Sequence, residues 1–338
     1  MWNIKVALFE NIALHATHDT LSRVRQTDIA KAFAPFVRNI RFYPSTYSVN
    51  ILPLDFEKIL FVQSVFEAEP GWCHVCNYDP YDPEDVAMFA ESGVFPLSDE
   101  EMHFQYAAYN SQAQMDADLV TDGTLQIAWT SALSAFDKLE SICLGSVTDN
   151  CEAGVFDLLQ KAFPSRHDCC LDASFLSRLM GANGDRLASA VAQCLTSSGR
   201  SIKSLTFRCE IEKNFSQTQG DQYWNDLSLE GLQHLSFAPQ GHPNWNASAM
   251  FLLKKCHATL QSFEYIQRDE LYESWSWINQ LEFPRLRELR LCGWGFHGVE
   301  IAAIILRCEV LSCINFTLCW PFDTPGDWKI VFDAIRRR

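Results

Sequence analysis

Leu286-Arg287-Glu288-Leu289-Arg290-Leu291 places apolar side chains at its first, fourth and sixth positions. The last two are separated by one residue, the period of a β-strand with one buried face. The same spacing recurs at Leu139-x-x-Ile142-x-Leu144, Ile202-x-x-Leu205-x-Phe207 and Leu232-x-x-Leu235-x-Phe237. It returns at Leu260-x-x-Phe263-x-Tyr265 and Leu311-x-x-Ile314-x-Phe316, with an upstream copy at Val37-x-x-Ile40-x-Phe42. Counted between middle positions, the last five copies lie 30, 28, 26 and 25 residues apart. One such pattern arises easily by chance, whereas five in register do not. The segments between them have helical spacing: Leu187–Leu195, Ala247–Cys256 and Val299–Arg307.

A strand followed by a helix, repeated at about 20–29 residues, is the arithmetic of leucine-rich repeats. No single unit buries its own apolar face, so stacked units share one core. The expectation is an α/β fold, a leucine-rich-repeat-like solenoid of irregular strand–helix repeats over 130–338, with a parallel sheet on its concave side. Residues 1–54, with a strand-like Val6–Leu14, read as the start of the repeats. Residues 55–129 read as an acidic, largely helical and loop segment inserted in or flanking the first repeats. A doubly wound α/β domain also alternates strand and helix, but its Gly-rich phosphate turn is missing. The nearest candidate, Gly181-Ala-Asn-Gly184, reads as a turn or helix C-cap.

Charge narrows the function classes. The 338 residues carry a net charge of −15, which argues against a nucleic-acid partner. All of that excess lies in 55–160, where Lys58 and Lys138 face 20 acids. Its densest part, Tyr78–Glu101, is interrupted by prolines at 80, 83 and 96 and reads as a solvating acidic surface or as a docking patch for a basic partner. No apolar run approaches the roughly 20 residues of a membrane span, so no membrane is expected. Met1-Trp-Asn-Ile-Lys-Val lacks the pattern of a signal peptide. The 13 cysteines are odd in number and have apolar neighbours, as at Cys143, Cys194, Cys209, Cys292 and Cys313. They read as buried free thiols in a reducing compartment, cytoplasmic or nuclear.

The chemistry-bearing motifs are sparse. Cys73-His-Val-Cys76 has a zinc-like spacing, but no second Cys-x-x-Cys completes a site; His103 and Cys169-Cys170 are distant. His15, His18 and the His167-Asp168-Cys169 run read as loop residues rather than a nucleophile site. The glycosylation-like Asn214-Phe-Ser, Asn246-Ala-Ser and Asn315-Phe-Thr are discounted, Asn315 because it falls within an expected strand. The reading is therefore of a chain that is no enzyme, with no cofactor and no metal.

The repeats define a candidate surface. Residues alternating with the buried ones face the other way, onto the concave side. That row comprises Ser204, Thr206, Arg208, His234, Ser236, Ala238, Ser262, Glu264 and Ile266, then Glu288, Arg290, Cys292, Cys313, Asn315 and Thr317. Thr206, Arg208, His234, Ser236, Glu264, Glu288, Arg290 and Asn315 are its candidate partner-binding residues, mixed enough in polarity to suit a protein or peptide. Trp294, Phe296, Trp320 and Phe322 follow the last strands, with Trp275 and Trp277 before them. They suit rim anchors or caps over the core.

The chain also resembles the filamentous-fungal F-box and leucine-rich-repeat proteins. Asp19-Thr-Leu-Ser-Arg-Val-Arg25, followed by Phe36-Val-Arg-Asn-Ile-Arg-Phe42, is similar to the boundary segment and strand that often follow their F-box. Phe283-Pro-Arg-Leu-Arg-Glu-Leu-Arg-Leu291 is similar to their repeats. The resemblance implies a substrate receptor of a cullin-type ubiquitin ligase, in which an F-box grips the adaptor and the repeats hold the substrate. The F-box itself, with its Leu-Pro-x-Glu-type opening turn, is not found before Thr17. The expectation is therefore a non-catalytic, F-box-like recognition module without its F-box. A cullin-ligase adaptor is a partner only if an F-box exists upstream. The rival is an α/β hydrolase- or transferase-type enzyme with an unrecognised site.

Overall fold

The computed structural model describes residues 10–15, 32–43, 46–47, 49–53, 56, 99–145, 180–181, 184–208, 222–238, 245–266, 276–293, 295–321 and 326–338. Its strands are β1 (Asn11–His15), β2 (Asn39–Tyr43), β3 (Thr46–Tyr47), β4 (Ser141–Leu144), β5 (Met180–Gly181), β6 (Ser204–Phe207) and β7 (His234–Phe237). They continue as β8 (Ser262–Ile266), β9 (Glu288–Cys292), β10 (Gly295–Phe296), β11 (Cys313–Thr317) and β12 (Trp320–Pro321). The helices are α1 (Asp99–Thr121), α2 (Thr124–Ala135), α3 (Gly184–Ser198), α4 (Gln222–Asp226), α5 (Trp245–Cys256), α6 (Gly298–Arg307) and α7 (Gly326–Arg337).

The fold is mixed α/β around one eight-stranded open sheet, ordered β1-β2-β4-β6-β7-β8-β9-β11. Every pairing in it is parallel. The order follows the chain without reversal, so these strands lack the switch point at which a doubly wound sheet opens its ligand crevice. Right-handed crossovers that all advance in one direction deliver their helices to one face of the sheet. Burial agrees. Ile142, Leu205, Leu235, Phe263 and Leu289 form one buried row, and Phe42, Leu144, Phe207, Phe237, Tyr265 and Leu291 a second. Both rows share a core with Val191, Leu252, Leu253, Ile301 and Ile305 of the helices.

Each motif position has a separate duty. The first residue closes a tight turn: the amides of Leu139, Leu232, Leu286 and Leu311 donate to carbonyls three residues back at 3.0–3.3 Å. The fourth and sixth residues then enter the strand, pointing inward. Before each strand one carbonyl accepts two amides from the next unit. That of Lys203 takes Gln233 and His234 at 2.8 and 2.9 Å, that of Gln233 takes Gln261 and Ser262 at 2.7 and 3.0 Å, and that of Gln261 takes Arg287 and Glu288 at 2.8 and 3.0 Å. Repetition of this backbone joint, not of side-chain identity, keeps every strand in the same register.

The helices lie where the spacing predicts them, each slightly longer: α3 contains Leu187–Leu195, α5 contains Ala247–Cys256 and α6 contains Val299–Arg307. Glu300 in the first turn of α6 and Arg307 in its last suit the helix dipole. Gly181 sits in the short strand β5, which pairs antiparallel with β3, and Gly184 opens α3. Gly184 thus begins a helix, while Ala182 and Asn183 between the two glycines lie outside the described residues. The strand expected over Val6–Leu14 is described from Asn11 to His15.

At the far end, Gly298 opens α6 against α7. A side chain there would meet the Asp327 carbonyl oxygen and lie 2.7 Å from the Asp327 Cα. The Gly298 amide donates to Asp327 Oδ1 at 2.9 Å, so a carboxylate of α7 caps the start of the preceding helix, α6.

Candidate recognition face

The second face of the sheet is a polar ladder. In register across the strands run Asn39, Ser141, Ser204, His234, Ser262, Glu288 and Cys313. A parallel row runs Arg41, Cys143, Thr206, Ser236, Glu264, Arg290 and Asn315. The structure thus brings Thr206, His234, Ser236, Glu264, Glu288, Arg290 and Asn315 onto one face. Arg208 follows β6, and its amide donates to the Leu144 carbonyl at 2.7 Å. His234, Arg290 and Asn315 are exposed; Thr206, Arg208, Ser236, Glu264 and Glu288 are half-buried.

Sequence reasoning stops short of how these side chains engage one another. The Ser236 hydroxyl donates to Glu264 Oε2 at 2.6 Å, and that of Ser262 to Glu288 Oε2 at 3.0 Å. Arg290 folds back along its own strand onto Glu288 Oε1, with Nε at 2.7 Å and Nη2 at 2.6 Å. Thr317 donates to Asn315 at 3.1 Å. The hydrogen bond from Arg290 holds the Glu288 carboxyl below its ordinary range; partial desolvation opposes this and the Ser262 hydroxyl adds to it. A carboxylate stabilised in its ionised form on an open face is the reverse of a poised general base. It is well suited to hold an arginine in a fixed orientation.

A second charged cluster lies just before β2, β4 and β6. Lys203 Nζ donates to Glu140 Oε1 at 3.0 Å, and Arg38 lies 3.5 Å from the same oxygen. The Lys203 hydrogen bond, aided by both cations, lowers the Glu140 pKa against a small desolvation.

Several expectations need correction. Phe296, for which rim anchor and cap over the core were both open, is fully buried: β10 pairs with β12, and the Phe296 ring packs 4.8 Å from Trp328 and 6.2 Å from Phe316. Cys194 is buried as expected, but Cys143 and Cys292 are half-buried and Cys313 is exposed. They alternate onto the face opposite the core helices, where burial is incomplete. Tyr43 and Ala238 break the alternation in the other direction and are buried. Gly145 makes room for the Tyr43 ring, because a Cβ there would lie 2.9 Å from it. Trp320 is exposed at the start of β12. Trp294, Phe322, Trp275, the Cys73–Cys76 pair, Cys169-Cys170, His167-Asp168, Cys209, Asn214, residues 79–98 of the acidic block and the Asp19–Arg25 segment lie outside the described residues. Asn315 lies in a strand, as its spacing predicts.

The outward residues of the first strands, Asn11, Asn39 and Arg41, extend the face and are missing from the candidates. The signal was in the sequence: Phe9-x-x-Ile12-x-Leu14 is a further copy of the motif. Asn39 donates to Asn11 at 2.8 Å, and Arg41 to the Tyr43 hydroxyl at 3.2 Å.

Among the described residues no group of three or more His, Cys, Asp or Glu side chains could hold a metal ion. No helix among them is long and apolar enough to cross a membrane. The chain matches no protein-family model, and no curated protein or solved structure matches it significantly.

Proposed function

We propose that the chain is a non-catalytic protein-recognition module, a leucine-rich-repeat-like solenoid that holds a protein or peptide on the uncovered face of its sheet. The observation that supports this most is the one-sided sheet. Eight parallel strands follow chain order, their buried rows facing the helices and their polar rows left open. Stacked units that share one core leave a long continuous surface on the other side. The mixture of Thr206, His234, Ser236, Glu264, Glu288, Arg290 and Asn315 suits hydrogen bonding to a protein partner. The Phe283–Leu291 repeat and the Phe36–Phe42 segment favour an F-box-related receptor working with a ubiquitin ligase inside the cell, cytoplasmic or nuclear.

Affinity capture on the full chain, wild type beside Glu264→Ala and Arg290→Ala, tests the reading. Partners that bind through the face are lost from both variants while the melting temperature holds. Partners retained by both but lost when the acids of 79–101 are neutralised would move the docking site to the acidic segment. Co-precipitation of a cullin-ligase adaptor with the full gene product tests the ligase assignment separately.

A further inference from the structure

The backbone joint between units is a carbonyl that accepts two successive amides from the next unit, and it repeats from Glu10 and Arg38 at the first strands to Arg287 before β9. The Arg287 carbonyl takes Ser312 and Cys313 at 2.8 and 2.9 Å. The corresponding carbonyl of the following unit is that of Ser312, and among the described residues no amide donates to it. β11 is the last strand of the sheet. Successive residues of a strand turn their backbone groups toward opposite neighbours. The Cys313 amide is directed at β9, so the amide and carbonyl of Ile314, and of Phe316 after it, point away from the sheet.

Open edges are normally blunted by charge, by proline or by a covering element. The β11 sequence Cys-Ile-Asn-Phe-Thr has neither charge nor proline. Cys313, Asn315 and Thr317 are exposed, and Ile314 and Phe316 are only half-buried, where β9 buries the equivalent Leu289 and Leu291. At the opposite edge of the sheet Leu14 of β1 is buried. On the helix side, Phe316 rests on Trp328 of α7 at 5.4 Å, and Trp328 stacks on exposed Phe332 at 5.7 Å. The edge thus presents outward backbone groups above an apolar floor, the two things that an added strand uses. The joint also sets its direction, since each carbonyl that accepts two successive amides in this sheet precedes a parallel pairing.

We propose that β11 takes up, as a further parallel strand, an extended segment of a partner protein with large apolar residues at alternate positions. Two successive amides of that segment fill the Ser312 carbonyl. Its apolar side chains lie beside Ile314 and Phe316, over Trp328, and the residues between them extend the rows of Cys313 and Asn315. This site is read through main-chain hydrogen bonds at one edge, so it stands or falls separately from binding on the open face.

The probe is a labelled synthetic copy of this chain's own Phe283–Leu291, which carries one turn, one joint and most of one strand. Its binding to the full chain is followed by fluorescence anisotropy at roughly 300 mM salt, which screens the peptide's cations. In the parallel register the peptide amides of Glu288 and Arg290 face β11 and that of Leu289 faces away; an antiparallel strand with the same side chains inward reverses this. The expected result is saturable binding that N-methylation at Arg290 weakens about tenfold or more and N-methylation at Leu289 leaves unchanged. Ile314→Pro removes an outward amide and no bond to β9, so it should weaken binding as much while the melting temperature nearly holds. Glu264→Ala, on the open face, should leave the peptide's affinity as it is. Absence of saturable binding overturns the proposal, as does equal binding of a scrambled peptide or full affinity in Ile314→Pro. Loss in Glu264→Ala would overturn it by moving the peptide to the open face. Greater damage from methylation at Leu289 would overturn the parallel strand. If Ile314→Pro fails to fold, the two methylated peptides decide on the wild-type chain.

Discussion

Phe263 and Glu264 are chain neighbours in β8, yet one lies in the core and the other is half-buried on the opposite face. The same split runs through β9, where Leu289 and Leu291 are buried and Glu288 and Arg290 are not. On the covered face, helices satisfy the strands by burying apolar surface, and most of the stability resides there. On the open face, side chains satisfy one another instead: serine to carboxylate, arginine to carboxylate, threonine to asparagine. A sheet covered on one side thus separates the residues that hold the fold from those free to act on something else.

Thiols report on this split most strongly, because they occur on both faces. Burial pushes Cys256 up to about 12 and Cys194 and Cys308 to about 11. At pH 8 the thiolate of Cys256 is then present in about one molecule in 10⁴, and no reagent reaches it in the native state. Cys313 stands exposed on the open row. Native-state labelling read by peptide mass should modify Cys313 at least a hundredfold faster than Cys256. Comparable rates would mean that the two faces are interchanged.

The next effect is on stability. Leu289→Ala removes packing from a fully buried position and should cost about 2–5 kcal/mol by urea unfolding. Gly298→Ala drives a methyl into the Asp327 backbone and should cost about 1–3 kcal/mol. Asp327→Ala, which removes a helix-capping acceptor, should cost about 1 kcal/mol. If Arg290→Ala costs as much as Leu289→Ala, the division of labour between faces fails.

Why the covered face was legible in the sequence and the open one only in outline follows from the same physics. Burial demands apolar side chains at fixed intervals, so Leu232, Leu235 and Phe237 announce a turn and a strand without any partner in view. The outward positions were also legible as positions, because they follow by alternation. Their pairing was not, since whether Arg290 bonds Glu264 across the sheet or Glu288 along its own strand depends on rotamers that no periodicity encodes. Phe296 was left open between rim and core for a related reason. An aromatic residue after a strand suits a rim or a core equally well, and the β10–β12 pairing that buries it is two residues long. The carboxylate of Asp327 reaching Gly298 across 29 residues likewise had no local signature.

The smallest expected effect tests the open face by itself. Glu288 has its pKa held down chiefly by the Arg290 hydrogen bond. Its folded value lies below its unfolded one, so its ionised form adds stability at any pH above the ordinary carboxylate range. That contribution fades as pH falls through the folded value. Arg290 remains a cation throughout, because the same contact moves its own pKa upward. With side-chain exposures of 28% and 51%, the pair is well screened by solvent and contributes little to stability. Glu288→Gln keeps one acceptor oxygen for Arg290, leaves the Ser262 hydroxyl to accept from the new amide instead of donating, and removes the charge. Its melting temperature should therefore fall slightly below that of the wild type at neutral pH. The gap should close in acid, once the pH has fallen below the ordinary carboxylate range and the wild-type carboxylate takes up its proton. A gap that widens in acid would reverse the sign of the shift. A gap of several kcal/mol at pH 7 would mean that this face is covered after all, since only a desolvated pair reaches that size.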